Sequence, residues 1–177
     1  MSNVLTLDSA GNVYVLGDSS HTQDEYTDMV TIKYDTDGNR KWMAQYRTSR
    51  KKWIFPKSIA LGEAGTVCIL GSEAPRTYGP GYPPNDTLDS MKKAEFITVK
   101  YDADGKELWR AKYKDPEGRV IITHYIVVDA RANVYVIGSV LLDALVIMYD
   151  SDGNEQWVRQ LKDPSHLAKL IAELKMR

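Results

Sequence analysis

Three patterns in the chain could carry chemistry. Asp-x-Asp-Gly recurs at Asp35/Asp37, Asp102/Asp104 and Asp150/Asp152, and acids spaced this way before a glycine open a calcium loop. Such a loop needs a bidentate acid at its twelfth position, where counting from each first Asp finds Tyr46, Tyr113 and Leu161. Hairpin turns in which Asp bonds its own backbone account for the pattern instead. Asp28, Glu95 and Asp143 form a second recurring set. Three carboxylates facing one channel could bind a cation or exchange protons, but recurrence once per repeat favours hydrogen bonding to loop backbone. The third pattern is a basic run, Arg47-Thr48-Ser49-Arg50-Lys51-Lys52, near a Tyr/Pro/Gly-rich stretch containing Arg76, Tyr78 and Tyr82. Its cations could hold an anionic ligand or pair with Asp24, Glu25 and Asp28. Arg50, Lys51, Lys52, Arg76, Tyr78 and Tyr82 are the candidate binding residues.

Other reactive side chains point to no site. His21, His124 and His166 share no metal-ligand spacing, and no G-x-S-x-G elbow is present. The single cysteine, Cys68, excludes an intrachain disulfide and a multi-cysteine metal site; a half-buried core thiol is expected there. No catalytic residue, metal or cofactor is expected. With 23 basic and 24 acidic residues the formal net charge is -1, so no global field for nucleic acid exists. No apolar run approaches a membrane span. Met1–Asp8 lacks the basic and apolar regions of a signal peptide, which suggests a cytoplasmic chain, or an exported one if it belongs to a longer precursor.

These residues sit in a threefold repeat. Asp8-Ser-Ala-Gly-Asn-Val-Tyr-Val-Leu-Gly17 recurs from Gly62 to Gly71 and from Asp129 to Gly138. Each copy is followed by a Tyr-Asp-x-Asp-Gly…Trp segment ending at Trp42, Trp109 and Trp157. Each repeat reads as four short strands, A to D, rich in Val, Ile, Leu, Thr and Tyr. The A–B and C–D links carry tight-turn residues, with Gly38, Gly105 and Gly153 in the latter. The B–C link absorbs the length variation: 10 residues separate Gly17 from Asp28, 23 separate Gly71 from Glu95 and 4 separate Gly138 from Asp143. Both D–A crossovers, Arg47–Lys57 and Lys114–His124, have 11 residues. Antiparallel order puts B–C loops and crossovers at one end, which is therefore the candidate binding face.

Four-strand repeats of this length are the signature of propeller blades. The expected fold is all-β, with three four-stranded antiparallel blades at about 4–46, 58–113 and 125–161 within a unit spanning 1–162. They make a half-ring or part of a larger propeller. The three tryptophans are expected as wedges between blades rather than a stacking platform for sugars. Trp53-Ile54-Phe55, aligned with Val120-Ile121-Ile122, reads as crossover packing. In 163–177, Asp163 and Pro164 suit a helix start, and Leu167, Leu170, Ile171 and Leu174 form one apolar stripe. A short amphipathic helix is expected there, docked on its own propeller or on a partner.

"GNVYVLG…DMVTIKYDTDGNRKW" is similar to the bacterial β-propeller repeat often called SBBP, over residues 4–161. Gly62, Thr66, Ala132 and Met148 depart from that pattern. Gly105-Lys-Glu-Leu-Trp109 more distantly resembles the turn of quinoprotein blades. The resemblance implies a propeller and says little about activity. Two readings stay open. One is a non-catalytic interaction or assembly module that binds a protein partner, or itself in a six-bladed homodimeric ring. The other is a ligand-binding or enzymatic propeller, for carbohydrate or a quinone, complete only as an oligomer.

Overall fold

The computed structural model describes residues 4–21, 26–49, 52–75 and 92–162. Twelve strands form three separate four-stranded sheets, each antiparallel and in simple chain order. The first sheet holds β1 (Val4–Leu7), β2 (Val13–His21), β3 (Tyr26–Tyr34) and β4 (Arg40–Tyr46). The second holds β5 (Lys52–Leu61), β6 (Val67–Pro75), β7 (Glu95–Tyr101) and β8 (Glu107–Tyr113). The third holds β9 (Ile121–Val128), β10 (Val134–Val140), β11 (Asp143–Tyr149) and β12 (Glu155–Leu161). A 3-10 turn at Glu63–Gly65 is the one helical element among the described residues, and no helix there is long and apolar enough to cross a membrane. The expected C-terminal helix over 163–177 lies outside the described residues.

Several strands run further than the repeat alignment suggests. β5 and β9 begin at Lys52 and Ile121, so Trp53-Ile54-Phe55 and Ile121-Ile122 are strand, not crossover. A bulge explains the difference: the register skips Lys57 between Pro56 and Ser58, and His124 between Thr123 and Tyr125. Strand A thus continues across an interruption that hides its period from the sequence. Pro56 beside such a bulge costs no ladder continuity. Ser72–Pro75, counted above within the B–C link, belongs to β6 and pairs with β5.

The sheets stack like blades. The A strands meet in sequence, β1 against β5 and β5 against β9, as inner strands about an axis do. Each sheet has a leading face, which carries its tryptophan, and a trailing face; the leading faces of the first and second sheets meet the trailing faces of the second and third. Tyr14, Leu16, Met29 and Tyr46 of the first leading face pack on Ile54, Ile69, Ile97 and Val99. Leu70, Phe96 and Tyr113 of the second pack on Val136, Leu145 and Ile147. Alternation along each strand lets one sheet supply both faces. Knobs key the stack: a β-carbon on Gly71 would lie 2.9 Å from Met29 Sδ, and one on Gly138 would lie 2.6 Å from Phe96 Cζ.

Candidate functional site: the blade locks, the open end and the loop edge

Each C–D turn is built by an aspartate. Oδ1 of Asp35 accepts the backbone N–H of Asp37 at 3.1 Å and of Asn39 at 2.8 Å. Asp102 and Asp150 bond the backbone two and four residues on in the same way. These carboxylates are spent on turn geometry, as the hairpin reading requires. Gly38, Gly105 and Gly153 follow with φ of 80°, 81° and 87°.

The turn is also a receptor for the preceding blade. Trp42 Nε1 donates to the carbonyl of Ala103 at 2.8 Å, and Trp109 Nε1 donates to Ser151 at 2.9 Å. A β-carbon on Gly105 would stand 2.7 Å from the Trp42 indole, and one on Gly153 would stand 2.6 Å from that of Trp109. Lys100 reinforces the second lock by donating to the carbonyls of Ala132 and Ser151, both at 3.3 Å. Trp42 and Trp109 therefore wedge between blades. Gly38 sits in the same turn, and no described residue comes within 4 Å of its β-carbon position. At the other end, Trp157 stacks on Tyr135 at 6.1 Å, the separation of Tyr14 from Trp42.

The two terminal faces differ. On the trailing face of the first sheet Leu5, Leu7 and Met43 are 60%, 58% and 54% exposed. Val15, Gly17, Val30, Ile32 and Met43 line an open groove of about 330 Å³ there. Their counterparts Ile69, Ile97 and Val99, and Val136, Leu145 and Ile147, are the buried receiving surfaces of the second and third sheets.

At the B–C end each strand-C acid is held by strand D. Gln45 Nε2 donates to Asp28 at 2.6 Å, and the Thr48 amide to the other oxygen at 3.1 Å. Gln160 Nε2 donates to Asp143 at 2.7 Å. In the second blade Lys112 replaces the neutral glutamine. Glu73, 1% exposed, receives Lys52 Nζ at 3.0 Å and Lys112 Nζ at 2.9 Å. Glu95 completes the cluster at 3.6 Å and 3.9 Å from the same lysines. Burial alone would lower the Lys112 pKa, but hydrogen bonds with Glu73 and Tyr46 carry it above its ordinary value. Desolvation pushes the Tyr46 phenol up in turn.

Lys52 thus pairs with Glu73 and Glu95 of its own blade, and Asp24 and Glu25 lie outside the described residues. Arg50, Lys51, Arg76, Tyr78 and Tyr82 lie outside the described residues. Glu73 escaped the sequence reading; its signal was an acid at a strand-B position where the sister repeats have Ser19 and Val140. His124, on its bulge, lies 3.1 Å from Ser139 Oγ, and burial followed by the Lys57 charge holds its pKa below 6.5. Cys68 is fully buried between the second and third sheets, more deeply than expected, and burial pushes its thiol up to about 12 against a smaller opposing pull from Lys100. Among the described residues no three His, Cys, Asp or Glu gather as a metal site.

No family model matches the chain, so the similarity to the SBBP repeat stands without one. No curated protein matches it either. Two solved structures of a polysaccharide lyase of family PL25, an ulvan lyase, one bound to -[GlcA(1-4)Rha3S]-, align with 89% of this chain at 10% identity and a TM-score of 0.57. A protein of unknown function from Bacteroides caccae aligns over 89% at 10% identity with a TM-score of 0.48. The chain spans 42% of the lyase and 45% of the Bacteroides protein. The lyase likeness, with three antiparallel four-stranded sheets, establishes a propeller-like all-β fold.

Proposed function

We propose that the chain is a non-catalytic assembly and interaction module. Its first sheet takes a further blade, presented by a protein partner, on the trailing face. Its B–C loops and D–A crossovers form a second contact edge, with Arg50, Lys51, Arg76, Tyr78 and Tyr82 as the contact residues and the Glu73 cluster as a rigid base. One observation carries the reading: Gly38 repeats the turn of Gly105 and Gly153, yet its indole seat is open. The exposed apolar face beside it is the kind of surface that marks an interaction site.

The acceptor face is tested by fusing a second copy of residues 52–124, which carries its own 11-residue crossover, ahead of Val4 in the full chain. The added Trp109 then meets the Gly38 turn. A higher Tm than the parent, cancelled by Gly38→Val, is the expected result. An added repeat that is cleaved by protease as an unfolded segment, with no gain in Tm, overturns the proposal. Sedimentation of the unfused chain near twice 20.0 kDa would transfer the face to a second copy, in a homodimeric ring.

A further inference from the structure

The open groove of the first sheet repeats a seat that is filled in the second and third. Two cross-strand rows line it: Val15, Ile32 and Met43, then Gly17, Val30 and Gln45. Gly71 with Arg110 and Lys112 takes the same places in the second sheet. Gly138 with Val158 and Gln160 takes them in the third. In each filled seat one side chain of the preceding blade enters over the glycine, Met29 over Gly71 and Phe96 over Gly138. The two stand at one position of strand C, paired with Tyr46 and Tyr113 of strand D. The glycine makes the entry possible, since a β-carbon there would fall on the incoming side chain.

The filled seats differ in chemistry. The second is flanked by cations, with Arg110 and Lys112 at 5.2 Å and 5.9 Å over the Tyr46 ring, and it takes a methionine. The third is flanked by Val158 and Gln160, and it takes a phenylalanine whose ring packs 5.9 Å from Tyr113. The first, with Met43 and Gln45, has no charge in either row and matches the third. Its volume of about 330 Å³ has room for a phenyl ring, since an apolar cavity of about 150 Å³ admits benzene. The Met43 thioether is a favourable neighbour for such a ring.

We infer that this groove is the socket for an aromatic side chain at the head of strand C in the partner's blade, and that this side chain selects the partner. The inference rests on the acceptor reading of the first sheet and names what the accepted blade must carry. An aromatic anchor in a fitted pocket dominates the energy of an interface. A second copy of this chain does not supply one. The blade it leaves without a described successor is the third, where Ala144 stands at the position of Met29 and Phe96. Discrimination then comes from an unfilled socket as much as from a filled one.

The fused chain described above separates the two claims, because its added copy of residues 52–124 brings a further Phe96. A gain in Tm over the parent reads the acceptor face, and the response of that gain to the added Phe96 reads the socket. Phe96→Ala in the added copy is expected to remove at least half of the gain. Phe96→Met in the added copy is expected to keep most of it, because methionine fills the sister seat at Gly71. Gly17→Val is expected to remove at least half as well, and Phe96→Ala added to Gly17→Val to remove little more, because both changes break one contact. A gain that survives Phe96→Ala whole, equal losses for Phe96→Ala and Phe96→Met, or losses at Gly17 and Phe96 that simply add overturn the socket and leave the acceptor face standing. No gain in the unaltered fusion overturns both.

Discussion

The Trp109 indole lies where a β-carbon on Gly153 would stand, 2.6 Å from the ring. One residue thus serves two demands: the turn needs a left-handed conformation, and the neighbouring blade needs the space. Gly105 faces the same demands from Trp42, whereas Gly38 faces only the first. Gly38→Ala should therefore cost about 1–2 kcal/mol of left-handed strain. Gly105→Ala and Gly153→Ala should add about 1–3 kcal/mol of overpacking. Urea unfolding of the three variants checks the order, and equal costs at all three would sink the lock.

The same contrast applies to the indoles. Trp109→Ala removes a blade contact and the bond to Ser151, and should cost about 3–5 kcal/mol. Trp157, which reaches no following turn, should cost less. Denaturant midpoints measure both.

Glu73 is buried between two lysines that keep 30% and 45% of their side chains exposed. Removing one partner of a fully buried pair costs about 3–5 kcal/mol; here water reaches the lysines, so Glu73→Gln should cost about 1–2 kcal/mol. Adding Lys112→Met should recover part of the loss. A neutral Glu73→Gln would show the cluster to be ordinary surface charge.

Cys68 should be inert. Its thiol is buried and its pKa is pushed up to about 12, so a disulfide reagent at pH 8 should fail to label the folded chain and should titrate one thiol in urea. Rapid labelling without denaturant would contradict the interface between the second and third sheets.

Acid should unfold the chain in two stages. His124 has a pKa below 6.5 in the fold, so the unfolded chain binds its proton first. Stability is full above 6.5 and is lost as pH falls toward the folded value. Asp8, Asp35 and Asp150 sit below the ordinary 3.8, chiefly through the Asn12 side chain, the Asn39 amide and the Asn154 amide. Their contribution is present above 3.8 and lost below it. His124→Gln should flatten only the first stage of a plot of unfolding midpoint against pH, and Asp35→Asn should reduce only the second.

Much of this was legible in the residues. Asp35, Asp102 and Asp150 read as turn-builders because the twelfth position of a calcium loop was wrong, and their oxygens do hold backbone amides. The tryptophans read as wedges because a wedge is needed once per blade. The extent of β5 and β9 was hidden, because a bulged Lys57 or His124 breaks the alternation by which a strand announces itself. Glu73 was hidden for another reason. Its partners Lys52 and Lys112 lie 21 and 39 residues away, and a lone acid in an apolar run has no local pattern.

The repeated residues by themselves determined the strands, the turns and the order within each sheet, since these follow from contacts between neighbours along the chain. Which face of a sheet meets its neighbour, which glycine receives which indole and which end stays open were decided only by the tertiary structure. Those outcomes depend on the radial stacking of sheets, and no strand encodes the side chain that an adjacent blade will place against it.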